Sequence, residues 1–155
     1  MQLARNLKVE CVSRLHPTLP HHLNTHQTVA DAVAMMRKEK VGCVLIIEEG
    51  HLHGIFTERD LMRRVLALAL PLSTPLARVM TSKPVTVQPQ DSIAMAIRRM
   101  QEGGYRHLPV VDGSQRPVGI LSVKRIVQYL AEHFPATVHN QPPAPGSFPS
   151  EAEGA

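Results

Sequence analysis

Residues 54–57 read Gly54-Ile55-Phe56-Thr57, and residues 119–122 read Gly119-Ile120-Leu121-Ser122. The two tetrapeptides run in the same order: glycine, two aliphatic or aromatic apolar residues, then a hydroxyl. Working back from them, an offset of 64 sets Arg14 on Arg78, Pro20 on Pro84, Ala30 on Ala94, Ala32 on Ala96 and Met36 on Met100. Thr28, Val29 and Val33 fall on Ser92, Ile93 and Ile97, and one extra residue in the second copy restores the match at residues 54 and 119. Self-similarity at a fixed offset is the signature of an internal repeat.

Each copy reads as βαββα. In the second, Val85-Thr86-Val87 is a short β-branched strand stopped by Pro89. Asp91 or Ser92 caps a helix whose apolar residues Ile93, Ala96, Ile97 and Met100 recur at helical spacing, and Gly103-Gly104 ends it. Residues 107–111 form a buried strand, Asp112-Gly113 a turn and residues 117–121 the returning strand, with a second helix from near Ser122. The first copy gives Thr28 as cap, a helix over 29–36, strands over 41–47 and 52–56 around Glu49-Gly50, and a helix from about Glu58 to Leu68. The expected organisation is an N-terminal segment 1–11, repeat 1 over 12–70, linker and repeat 2 over 71–134, and a Pro-rich tail 135–155. Pro135, Pro142, Pro143, Pro145 and Pro149 give that tail too little apolar surface to offset its ordering entropy, so disorder is expected from about residue 136. The fold class is therefore α+β. Two such units each leave a sheet face uncovered, and packing them face to face about a pseudo-two-fold axis buries both.

Composition narrows the function. Hydrophobic residues make up 43% of the 155 but aromatic residues only 3%, so the core is aliphatic and offers few rings for stacking bases. Nucleic-acid binding is not expected. The net charge of +4 is modest and scattered, compatible with an anionic partner without demanding one. The longest apolar stretch, residues 65–72, is too short to span a bilayer, and the expected location is the cytoplasm. His51 and His53 would share one strand face, but no Cys or carboxylate at ligand spacing completes a tetrahedral site, so no metal site is expected. No paired carboxylates, Cys–His or Ser–His arrangement supports catalysis, and the chain is not expected to be an enzyme.

The runs Val41-Gly42-Cys43-Val44-Leu45-Ile46-Ile47, Gly54-Ile55-Phe56-Thr57-Glu58-Arg59-Asp60-Leu61 and Tyr105-Arg106-His107-Leu108-Pro109-Val110-Val111-Asp112 resemble the CBS-domain family. The likeness covers residues of about 12 to 133. It implies a tandem pair, a Bateman module, with two pseudo-symmetric clefts that take AMP, ADP, ATP or another adenosyl compound, with Mg2+ as a candidate companion. It further implies a regulatory module, commonly a homodimer, acting on a target protein that the residues do not identify. The alternative is a ligand-free structural dimerisation or protein-interaction module.

The resemblance implies particular site residues. The family pattern Gly-x-x-Thr/Ser-x-x-Asp places Gly54, Thr57 and Asp60 at one site, with Asp60 accepting from ribose hydroxyls and Thr57 beside a helix start suited to phosphate. Arg106 and His107, before Leu108 and Pro109, are expected phosphate contacts, because a guanidinium can grip phosphate bidentately. Adenine is expected against His22, Leu23 and Ile55 in the first cleft, and Thr86, Val87 and Ile120 in the second. The second copy has Ser122 but carries Arg125 where the carboxylate belongs. Arginine cannot accept a ribose hydroxyl, although it could reach toward phosphate. The expectation is one strong site per chain, with ribose on repeat 1 and cations from repeat 2.

Overall fold

Thr28 and Asp31 exchange hydrogen bonds in a capping box, which opens the first long helix where the sequence places its cap. The computed structural model describes residues 2–134; the tail expected to be disordered lies outside the described residues. Helix α1 (Gln2–Val9) leads through a 3-10 turn (Val12–Leu15) to strand β1 (His22–Leu23) and helix α2 (Val29–Glu39). Strands β2 (Cys43–Glu48) and β3 (His51–Thr57) form a hairpin turned by Glu49 and Gly50, both at positive φ. Helix α3 (Glu58–Asp60) continues as a π-helix (Leu61–Leu66). The second half comprises α4 (Leu76–Val79), β4 (Thr81–Ser82), α5 (Ile93–Gly103), β5 (His107–Val111), β6 (Pro117–Ser122) and α6 (Val123–His133).

Repeat 1 carries a four-stranded sheet in the order β1-β2-β3-β4, and β5-β6 form the hairpin of repeat 2. Along β2 the faces alternate, as a strand's two-residue period requires. Val44 and Ile46 join Leu23, Val29, Ala32, Met36 and Phe56 beneath α2. Cys43 and Leu45 point the other way and pack with Ile55, Leu52 and Ile120 of the opposite repeat. The two units meet through these inner faces.

The strand expected at residues 85–87 shrinks to one parallel bridge, Val87 to Val110. The pairing lies a few residues earlier, in β4, and it joins the other repeat: Thr81 pairs with Ile55 and Ser82 with Gly54. The first half mirrors this, with Thr18 bridging Ile120. Cores follow the same exchange. Leu76 and Val79 are buried in the core of repeat 1, while Val12 and Leu15, 64 positions earlier, are buried in the core of repeat 2. Backbone bonds repeat the symmetry: Leu76 N–H donates to Gln27 O at 2.8 Å and Val12 N–H to Asp91 O at 2.8 Å. Hydrophobic periodicity alone cannot reveal this, because it says which residues are buried and not beneath which sheet. Gly54 makes the approach possible: a Cβ there would lie 2.6 Å from Met80 Sδ and 2.8 Å from Thr81 O.

Candidate functional site

The exchange leaves a cleft of about 510 Å³ where β3 and α3 of repeat 1 face the start of β5 in repeat 2. Thr57 ends β3 and caps α3, its hydroxyl oxygen accepting from Asp60 N–H at 3.1 Å. Asp60 Oδ2 accepts in return from Thr57 N–H at 3.0 Å and from the Thr57 hydroxyl at 3.1 Å. Its Oδ1 accepts from the Thr81 hydroxyl at 3.0 Å and lies 3.4 Å from Arg64 Nε. Asp60 is thus a buried carboxylate, only 7% exposed, held by three hydrogen bonds and one ion pair. Arg64 also donates to Met80 O at 3.0 Å.

The opposite wall brings Tyr105, Arg106, His107 and Pro109, and the floor brings Ile55, Lys83, Pro84 and Val85. The cleft therefore joins an apolar slot (Ile55, Pro84, Val85, Pro109) to a cationic rim of Arg59, Lys83 and Arg106. Gly42 lets the two walls close: a Cβ there would sit 2.7 Å from Glu58 Oε1 and 3.2 Å from His107 Cε1. Burial holds the His107 imidazole below its ordinary pKa; Glu58 opposes that shift and Arg106 adds to it. Burial, seconded by Glu58, pushes the Cys43 thiol up to about 12, which makes it a packing group and not a nucleophile. Among the described residues, no cluster of three or more His, Cys, Asp or Glu residues is placed to hold a metal ion.

Of the residues singled out from sequence, the structure gathers Ile55, Thr57, Asp60, Arg106, His107 and Pro109 in this cleft. Others stand elsewhere. Leu23 belongs to the repeat 1 core, and Val87 and Leu108 to that of repeat 2, and none of the three lines this cleft. His22 is exposed on β1, opposite Leu45. Thr86 gives its carbonyl to Arg99, and Gly54 lies beneath β4. Pro84 and Val85, just after β4 on the β3 edge of the sheet, line the cleft where His22 and Leu23 were expected; those two stand on β1 at the opposite edge. Ile120 packs against the repeat 1 sheet, and Ser122 caps α6. Sequence reasoning missed Arg59, Lys83, Pro84, Val85 and Tyr105; Pro84 was legible only as a repeat match.

Arg125 does not reach for an anion. Its Nε donates to Leu15 O at 2.8 Å and to His16 O at 3.3 Å, and a terminal nitrogen donates to Gln128 Oε1 at 2.7 Å. The carbonyl of His16 corresponds to that of Met80 across the repeat, so the guanidinium closes in repeat 2 what Arg64 closes in repeat 1. No helix among the described residues is long and apolar enough to cross a membrane.

The CBS domain family model matches twice, over residues 16–67 and 76–132. The meiotically up-regulated gene 70 protein of Schizosaccharomyces pombe is 38% identical over 105 residues, 67% of this chain but 14% of that protein. The CBS domain-containing protein YhcV of Bacillus subtilis is 32% identical over 101 residues, 65% of this chain and 71% of that protein. A solved CBS domain protein from Pyrobaculum aerophilum complexed with AMP superposes with a TM-score of 0.71 at 26% identity, covering 79% of this chain and 99% of that one.

Proposed function

The chain belongs to the CBS-domain family, and from that premise we propose that it is a regulatory module binding an adenine nucleotide, AMP, ADP or ATP, in the cleft between its repeats. One observation carries this reading: a single cleft is lined by a buried carboxylate, an apolar slot and three cationic side chains, Arg59, Lys83 and Arg106. The slot suits a purine, the carboxylate suits a ribose diol, and the rim suits phosphate. The AMP complex of the Pyrobaculum relative supports the ligand class. Magnesium would accompany the phosphates of ADP or ATP and not a dedicated protein cage.

The second cleft reads as structural, since Arg125 stands where the carboxylate belongs and is already engaged with backbone carbonyls. The module acts without catalysis, in the cytoplasm, as a homodimer that transmits occupancy to a target protein. Support for the dimer comes from Met62 and Val127, matching positions of the two repeats, which are 61% and 59% exposed.

A ligand that binds only the folded state raises its melting temperature with concentration. AMP, ADP and ATP should each do so. The absence of any shift at millimolar nucleotide overturns the reading. Arg106→Ala should weaken ATP more than adenosine, and equal weakening would remove Arg106 from the phosphate site.

A further inference from the structure

An ionised carboxylate offers four lone-pair positions, two on each oxygen. In Asp60 three carry hydrogen bonds, from Thr57 N–H and hydroxyl on Oδ2 and from the Thr81 hydroxyl on Oδ1, while the Arg64 guanidinium is ion-paired with Oδ1 at 3.4 Å. The two hydroxyls of a ribose need two acceptor positions on this carboxylate, and one alone, beside Arg64, is free of a hydrogen bond. To seat both they must displace a protein donor.

The donors are not equally replaceable. Those of Thr57 belong to the helix cap, fixed by the reciprocal bond from Asp60 N–H. Arg64 is 49% exposed, with its longer contact at 3.4 Å, and Thr81 stands on a two-residue strand. Resting on the proposed reading of the cleft, we infer that Thr81 and Arg64 are internal competitors of the ribose for Asp60 Oδ1. They act as positioning residues: they keep the buried carboxylate satisfied when the cleft is empty and yield when a ribose arrives. Their strength sets how much affinity the ribose hydroxyls contribute. Occupancy also releases Arg64 from the carboxylate, although its second bond, to Met80 O just before β4, does not require Asp60.

The test is the ratio of dissociation constants for 2′-deoxy-AMP and AMP, in which any effect of Arg64's charge on phosphate cancels. Thr81→Val should raise that ratio on the order of tenfold, the scale of one hydrogen bond to a charged group. Arg64→Gln should raise it in the same direction, and Thr81→Ser, which keeps the hydroxyl, should leave it at the wild-type value. Asp60→Asn should bring it toward one. If AMP binds but Thr81→Val and Arg64→Gln leave the ratio unchanged or lower it, the competition does not exist. A ratio that survives Asp60→Asn would likewise overturn it, by placing the ribose elsewhere. Should Thr81→Val fail to fold, Arg64→Gln alone carries the comparison. Failure of the underlying reading shows separately, as wild-type protein that binds no AMP.

Discussion

At position 42 the walls of the cleft are separated by the width of a glycine, with Glu58 and His107 both within reach of any added side chain. Gly42→Val should therefore cost more than tenfold in nucleotide affinity, measured calorimetrically, while far-ultraviolet circular dichroism stays unchanged. His107 gives a pH dependence. Its folded pKa lies below the unfolded value of about 6.5. The unfolded state thus binds more protons as pH falls through that value, and the histidine's contribution to stability, present above about 6.5, is lost below it. A bound phosphate acts oppositely, favouring the imidazolium, so nucleotide binding should take up a proton and tighten from pH 8 to pH 6. Calorimetry in two buffers of different ionisation enthalpy would reveal that uptake. Thr57 and Asp60 were marked out through the family pattern that the chain resembles; their mutual capping box is a finding of the structure. Lys83 and Tyr105 were not legible, because an exposed cation and an exposed ring carry no periodic signal.

Helices α2, α3, α5 and α6 begin at a hydroxyl: Thr28, Thr57, Ser92 and Ser122. Ser122 accepts from Arg125 N–H at 3.1 Å, as Thr57 does from Asp60 N–H. Ser122→Ala should destabilise the protein by about 1 kcal/mol, read by urea denaturation. The π-helix at Leu61–Leu66 was not legible, since residues 58–68 carry an ordinary helical pattern; it sits beside the cleft, as such turns often do near functional sites. Most elements were readable from caps, turns and alternation. β4 escaped notice because Thr81 and Ser82 form too short a run to show alternation, while the β-branched 85–87 look more like a strand than they are. The short helix α4 carries more than its length suggests. Leu76 is fully buried in the core of repeat 1, so Leu76→Ala should cost about 2–5 kcal/mol. Leu15→Ala, at the position that matches Val79, is expected to cost a similar amount in repeat 2.

At the scale of the molecule, neither repeat contains its own complete core. Repeat 1 lacks Leu76 and Val79 if the chain is cut in the linker, and repeat 2 lacks Val12 and Leu15. Expressed as separate polypeptides, residues 1–70 and 71–155 should not yield a folded monomer of either half, and mixing them should restore a one-to-one complex by native mass spectrometry. A half that is folded and monomeric would contradict the exchange. Pseudo-symmetry was visible in the alignment of the copies, but the crossing of the opening segments was not, because an offset compares residues without saying where each one packs. The crossing makes the covalent link matter. A single repeat alone has no sheet of its own on which to bury its opening segment and needs a second copy to do so. Joining two repeats in one chain makes that concentration-dependent assembly an intramolecular one. It also lets two sites that would be identical by symmetry in a pair of single repeats carry different residues, as Asp60 and Arg125 do.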